Sequence, residues 1–420
     1  MKRKKKSKIN PNYIHHNKSS VSLPNDTYVT VPTETWFDIK ESGVLSQGSF
    51  DKEIKYETLT ETKYRSDKIR LYPSVKQRKI LDSWFKGFRI IYNYALKEIK
   101  KTYLEKKYKP YFKKIRMSLY DKKYSIQKHH NGIKIHILDR AIKLACSNYK
   151  SAITNFRNKN IPKFRIRYWK INQTKKILKV EKNDMKTINF LYSINAYLDG
   201  KKYDIKNNVE AECIFTYDTT TDEYYLYAPS KLKKIDDDQI NDTISLDPGL
   251  RTFLTGVSNT KGVQICNNLM PKLEYYLNKI YKTKNPKSHK RCYRKITNYV
   301  DELHWKSINY LVKNYKNILI GNMSSKSTNR NSTSKLSPTV KKMLQYSSIS
   351  KFRQRLKFKC FQYNRNYIEV NESYTSKTCS MCGVIKENLG SNKTFECKSC
   401  KTVMDRDING SRNIYYKGCI

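Results

Sequence analysis

Glu372 to Asp407 reads ESYTSKTCSMCGVIKENLGSNKTFECKSCKTVMDRD, and two CxxC pairs organise it: Cys379-x-x-Cys382 and, fourteen residues later, Cys397-x-x-Cys400. Two such knuckles present four thiolates, enough to enclose one zinc ion tetrahedrally with no position left open for catalysis. The interval falls just under the roughly 15–20 residues usual between paired knuckles. Gly383 suits the tight turn after the first pair. Disulfides, or four unrelated core cysteines, are the other readings of this quartet. Cys146, Cys213, Cys266, Cys292, Cys360 and Cys419 show no pairing and read as single thiols. The element expected is a structural zinc ribbon at about residues 374–403, whose ion serves folding and not chemistry.

Acidic residues flank the ribbon. Tyr367-Ile368-Glu369-Val370-Asn371-Glu372 has strand character, and alternation puts Ile368, Val370 and Glu372 on one face with Glu369 on the other. On the far side, Met404-Asp405-Arg406-Asp407-Ile408-Asn409-Gly410 leads into a helical pattern, where Asp407 also fits a plain N-cap. Well upstream, Thr243-Ile244-Ser245-Leu246-Asp247-Pro248-Gly249 ends an apolar strand on an Asp. A second apolar strand, Thr252–Val257, follows as in a hairpin, and an Asp there also serves simply to bond the turn backbone. Together, strand-borne and helix-start carboxylates suit a site for two divalent cations. Mg2+ demands hard oxygen ligands. A pair of ions about 4 Å apart can activate water and stabilise the leaving oxygen of a phosphodiester.

The N-terminal half is organised differently. Asp67–Pro73 alternates as a strand, Ser74 and Gln77 form a capping box, and Ile80, Leu81, Trp84, Phe85, Phe88, Ile91, Tyr92 and Ala95 follow at helical spacing. A second helix is expected from about Asp139 to Phe156. From Pro162 the period changes to two, which predicts a strand with Phe164, Ile166 and Tyr168 on one face and Arg165 and Arg167 on the other. Guanidinium groups so arrayed suit a phosphate backbone, and equally keep an edge strand soluble. Residues 25–62 read as extension or linker, and Ser324–Ser337 as a flexible loop.

Over its 420 residues the chain carries 85 Lys+Arg against 37 Asp+Glu, a net charge of +48. Such a field favours polyanions and all but excludes an enzyme for small cations. No segment approaches the roughly 20 apolar residues of a membrane span. The opening MKRKKKSK lacks the apolar core of a secretory signal, so a reduced, intracellular setting is expected. Its basic run, Lys2–Lys6, reads as a nuclear-import signal, a phosphate-touching arm or a solvated tail.

The order Asp247, Glu372, CxxC, CxxC, Asp407 resembles the RuvC-like nuclease half of the TnpB proteins and their eukaryotic and viral relatives, the Fanzor proteins. The matching stretches are Ser245–Ser258, Asn317–Met323, Glu372–Gly383 and Asp405–Ile414, with Ile69–Pro73, Tyr92–Leu96 and Pro162–Phe164 similar to the family's N-terminal half. One departure matters. TnpB-like sequences place a Glu after an apolar strand where this chain has Gly321, which cannot bind a metal. Many Fanzor-like sequences share that loss and carry a Glu just before the TSKTC segment, the position of Glu372. Gly410-Ser411 replaces the small Ala pair usual in the last helix.

The resemblance implies an α+β multidomain chain: a wedge-like N-terminal β-barrel with an inserted helical recognition segment, then a RuvC/RNase H-like α/β domain interrupted by the ribbon. The regions expected are an irregular basic extension at 1–65, a barrel binding guide RNA and target DNA at 66–240, and a nuclease domain at 241–420. The activity implied is RNA-guided, Mg2+-dependent cleavage of guide-matched double-stranded DNA beside a short target-adjacent motif, in a transposon-associated protein. Asp247, Glu372 and Asp407 would be its magnesium ligands, and Cys379, Cys382, Cys397 and Cys400 its zinc ligands. The expected partner is a guide RNA encoded near the gene, bound by a monomer in a nucleus and away from membranes. An inactive RNA-guided or zinc-ribbon DNA-binding protein is the alternative, for which Gly321 is the best argument.

Overall fold

The computed structural model describes residues 29–30, 37–43, 64–106, 111–164, 166–235, 242–267, 269–322, 336–386 and 392–418. The basic run at Lys2–Lys6, Arg165 and most of the Ser324–Ser337 loop lie outside them. The chain divides into two compact units, one of Thr60–Lys233 and one joining Met1–Leu59 to Lys234–Ile420. Among the described residues no helix is long and apolar enough to cross a membrane.

In the unit of residues 60–233, strands β3 (Tyr64–Tyr72), β4 (Lys175–Val180), β5 (Asn195–Leu198), β6 (Lys201–Lys202), β7 (Cys213–Asp218) and β8 (Glu223–Lys231) form one antiparallel sheet in the order β4-β7-β8-β3-β5-β6. Its end strands β4 and β6 do not pair with each other, so among the described residues the expected barrel is an open sheet. Alternation sends Ile69, Leu71, Leu226 and Ala228 into the core. The helix Val75–Lys106 begins at the expected capping box, with Gln77 N–H donating to Ser74 Oγ at 3.3 Å and Ser74 N–H to Gln77 Oε1 at 2.8 Å. The second helix, Ile135–Arg157, packs against it.

The strand expected after Pro162 does not form. Instead Asn93 takes the place of a neighbouring strand, accepting from Trp169 N–H at 2.8 Å and donating to Trp169 O at 3.0 Å. The indole then stacks on Tyr92 with ring centroids 4.0 Å apart. A side-chain amide that satisfies both backbone groups removes the need for a ladder, so Trp169 turns inward where alternation puts Tyr168.

The other unit is built on a sheet in the order β1-β2-β11-β10-β9-β12-β13. Its strands are β1 (Val29–Thr30), β2 (Ile39–Gly43), β9 (Thr243–Pro248), β10 (Leu254–Ser258), β11 (Lys261–Ile265), β12 (Asn317–Gly321) and β13 (Asn366–Val370). The hairpin read at Asp247 is β9–β10, antiparallel, whereas β12 and β13 run parallel to β9. The carboxyl ends of these three parallel strands, at Pro248, Gly321 and Val370, therefore open on one side of the sheet. Ile244, Leu246, Ile318, Ile320 and Tyr367 fill the core on one face. Leu319, Ile368 and Val370 meet Ile414 of the C-terminal helix, Arg406–Gly418, on the other.

Residues 37–43 depart from the irregular extension expected up to residue 65. Strand β2 pairs with β11 from Ile39↔Ile265 to Gly43↔Lys261, and Cys266 N–H donates to Asp38 O at 2.9 Å. Glu41 accepts from Lys261 Nζ at 3.0 Å and from the Tyr310 hydroxyl, and Phe37 reaches the core. Ile39-Lys40-Glu41-Ser42-Gly43 has a single apolar residue, so an outer strand of this kind leaves little hydrophobic pattern to read.

Candidate active site and zinc ribbon

Asp247 is the last but one residue of β9, where its carboxylate faces the C-terminal helix. A Cβ added to Gly410 of that helix would lie 2.5 Å from Asp247 Oδ2, which is how closely the helix backbone covers it. Two residues back, Ser245 Oγ and Ser411 Oγ lie 3.0 Å apart, and Ser411 Oγ donates to Ser245 O at 2.9 Å, fixing β9 to the helix. The small pair Gly410-Ser411 thus permits the approach. Burial, and then the negative charges of Glu372 and Asp407, raise the Asp247 pKa well above the ordinary carboxylate range, with Arg406 pulling against them. Both other predicted acids are therefore within electrostatic reach of Asp247.

Glu372 lies two residues beyond β13. Its carboxylate fills the space a side chain at Gly321 would need, since a Cβ built there would be 1.8 Å from Glu372 Oε1. The missing strand-end side chain and the carboxylate from the neighbouring strand occupy one place. Glu369, on the opposite strand face, is exposed and accepts from the Tyr367 hydroxyl at 2.7 Å.

Asp407 is relieved of the capping role that the sequence left open. Asp405 takes it, its Oδ1 accepting from Asp407 N–H at 2.8 Å and Ile408 N–H at 3.3 Å. Asp407 has its pKa raised by burial and by Asp405, while Arg406, Lys393 and Arg251 lower it. Asp247 and Glu372 at the ends of parallel strands and Asp407 at a helix start are electrostatic neighbours, and the raised pKa of Asp247 and Asp407 is a cost that a divalent cation would relieve. Hard carboxylate oxygens fit Mg2+.

Among the described residues one set of cysteines is gathered as a compact metal cage: the sulfurs of Cys379, Cys382, Cys397 and Cys400 lie within 4.8 Å of one another. The pairs Cys379–Cys400 and Cys382–Cys397 stand at 3.6 Å. Tetrahedral zinc with bonds of about 2.3 Å places sulfurs about 3.8 Å apart, whereas a disulfide needs about 2.05 Å. Each knuckle closes on a left-handed residue, Gly383 at φ 76° and Lys401 at φ 62°. In the first, Gly383 N–H donates to Cys379 O at 2.9 Å. The Thr402 hydroxyl holds the Cys400 thiol down to about 6, backbone N–H groups led by that of Cys400 lower Cys397, and burial pushes Cys379 up to about 12. The donor set fits a structural zinc.

Sequence reasoning passed over Arg353. Its guanidinium donates to Gly321 O at 2.9 Å and so holds the strand end beneath Glu372. No spacing rule marks it, because the contact joins the helix Ile349–Gln362 to β12.

A parallel and antiparallel sheet with clustered acids at the ends of its parallel strands, carrying a four-cysteine ribbon, defines the class. The Cas12f1-like, TNB domain model matches residues 350–414, and a Helix-turn-helix domain model of the OrfB IS605 type matches residues 63–107, which fold here as β3 and the first long helix. A TnpB-like protein of Acanthamoeba polyphaga mimivirus is 32% identical over 435 residues, covering 96% of this chain and 81% of that protein. A putative transposase of Paramecium bursaria Chlorella virus 1 is 29% identical, covering 84% of this chain and 86% of its own. A putative RNA-guided DNA endonuclease of Streptomyces pristinaespiralis is 33% identical over 70 residues, covering 16% of this chain and 17% of that protein. The cryo-EM structure of a Cas12f1–sgRNA–target DNA complex aligns at 14% identity and a TM-score of 0.48, covering 81% of this chain and 83% of that one. The chain belongs to the TnpB-like family.

Proposed function

We propose that the protein is an RNA-guided DNA endonuclease whose RuvC-type centre is Asp247, Glu372 and Asp407. The observation that carries the reading is the placement of Glu372 over Gly321, beside Asp247. The antiparallel β9–β11 followed by parallel β12 and β13 supports an RNase H-like assignment for this unit. The three acids would hold Mg2+, which when bound activates a water and stabilises the leaving oxygen of a phosphodiester. The chain's own part is to fix three carboxylates, Asp247 on β9, Glu372 just beyond β13 and Asp407 at a helix start. Cys379, Cys382, Cys397 and Cys400 would hold a structural zinc.

The partners that fit are a guide RNA and double-stranded DNA, with sequence choice delegated to base pairing. Charge supports this in the nuclease unit too. Residues 275–300 contain eight Lys and Arg and no Asp or Glu, with Tyr275 and Tyr281 exposed among them. Phosphates suit such a surface, and binding should weaken steeply with salt.

The testing experiment uses the purified protein–RNA complex on guide-matched duplex with and without Mg2+. Cleavage should require the metal and collapse in Glu372→Gln, with RNA and DNA binding retained, while Glu369→Gln cuts normally. Binding without cleavage by the unmodified complex establishes instead an RNA-guided binder that no longer cuts.

A further inference from the structure

The C-terminal helix is anchored on two sides. Gly410 and Ser411 face β9, and Asn409 and Asn413, one turn apart and buried, face the ribbon. Asn409 Oδ1 accepts from Ser380 N–H at 2.9 Å, and its Nδ2 donates to Thr378 O at 2.8 Å. Thr378 and Ser380 flank Cys379, so one amide grips the backbone on both sides of a zinc-ligand cysteine. Asn413 Nδ2 adds bonds to Thr375 O at 2.8 Å and Thr378 O at 2.7 Å.

We infer that Asn409 is a positioning residue that couples the first zinc knuckle to the carboxylate centre, tying the Cys379 backbone to the helix whose first turn carries Asp407. Only an amide on a single methylene supplies one acceptor and one donor at this reach. Aspartate keeps the acceptor for Ser380 N–H but sets a carboxylate oxygen against Thr378 O. Alanine leaves the buried Ser380 N–H unmet, which costs more than a bond itself contributes, while Thr378 O keeps the bond from Asn413.

Coupling between two sites is reciprocal. Zinc holds the knuckle in the shape that Asn409 grips, and a divalent cation on Asp247 and Asp407 holds the helix in the place from which Asn409 reaches. Each metal therefore strengthens the binding of the other, with this side chain as one of the links. The second half of the inference rests on the proposed nuclease reading of the carboxylates.

The test measures chelator-driven zinc release from the zinc-loaded full-length chain in complex with its RNA. Release is followed with a colorimetric zinc indicator, with and without Mg2+, in the unmodified chain, Asn409→Ala and Asn409→Asp. Release should be about tenfold faster in both variants, the scale expected for about one lost hydrogen bond. Mg2+ should slow release in the unmodified chain and protect the variants clearly less, the remainder passing through Asn413, with RNA affinity unchanged. A variant that merely loosened the ribbon would release zinc faster yet keep the Mg2+ protection, and that result overturns the inference. So does unchanged release, or an absence of Mg2+ protection in the unmodified chain. Cleavage by that same preparation reports separately on the nuclease reading. Should Asn409→Ala fail to fold, the isosteric Asn409→Asp decides.

Discussion

Replacing Gly321 by Ala tests whether Glu372 stands where a strand-end carboxylate would otherwise be. The new methyl carbon would sit 1.8 Å from Glu372 Oε1, 2.5 Å from Cδ and 2.6 Å from Cγ. Reaching the 3.4 Å of ordinary contact from 1.8 Å means a retreat of the carboxylate oxygen by about 1.6 Å. Metal ligands tolerate about 0.2 Å, and a misplacement of about 1 Å costs roughly 100-fold in rate. Cleavage should therefore fall by about 100-fold or more, some 2.7 kcal/mol in the barrier. Stability should not fall with it. Gly321 does not have the left-handed φ of Gly132, Gly200 or Gly383, and an Ala compatible with the backbone loses less chain entropy on folding. The clash is with the end of a flexible side chain. The assay is single-turnover cleavage of guide-matched duplex by saturating complex with Mg2+, with DNA binding measured in EDTA. Unimpaired cleavage in Gly321→Ala refutes the shared-place argument. The exchange variant Gly321→Glu with Glu372→Gly moves the acid back to the strand end and should recover part of the lost rate.

Replacing Cys397 by Ser should take zinc content from one ion per chain to none, read by metal analysis, and lower the melting temperature without touching a carboxylate; full occupancy would show the ligand assignment to be wrong. Asp247 and Asp407 have pKa values raised by burial and by neighbouring acids, so at these two groups the metal-free native state binds more protons than the unfolded one. The contribution of these two acids to stability is accordingly full below the ordinary carboxylate pKa of about 3.9 and is lost as pH rises through the raised values. In thermal melts with EDTA, Asp247→Asn should make that fall shallower and Mg2+ should do the same for the unmodified chain; identical slopes would contradict the clustering. Affinity for RNA should drop steeply between low and high salt, and a flat response would remove phosphate contact as the main source of binding.

Local pattern was enough for much of this molecule. Ser74 and Gln77 announce a helix start because capping is a contact between residues three apart, and the two CxxC pairs announce a cage because each knuckle closes on itself. The hairpin at Asp247 and the opposite facing of Val370 and Glu369 follow from the period-two geometry of a strand. Where two chemistries compete for one residue, sequence alone could not choose. Asp407 fits both a helix cap and a metal ligand, and only the backbone path shows that Asp405 takes the cap. Trp169 leaves an alternating pattern because Asn93, 76 residues earlier, offers its backbone a better partner. The strand Ile39–Gly43, with one apolar residue, has no alternating pattern of its own and exists because β11, more than 200 residues later, leaves an edge to be paired. The same holds at the centre of the site. That Gly321 is no vacancy is decided by Glu372 folding over it from the adjoining parallel strand, a proximity that strand pairing creates and linear spacing does not record.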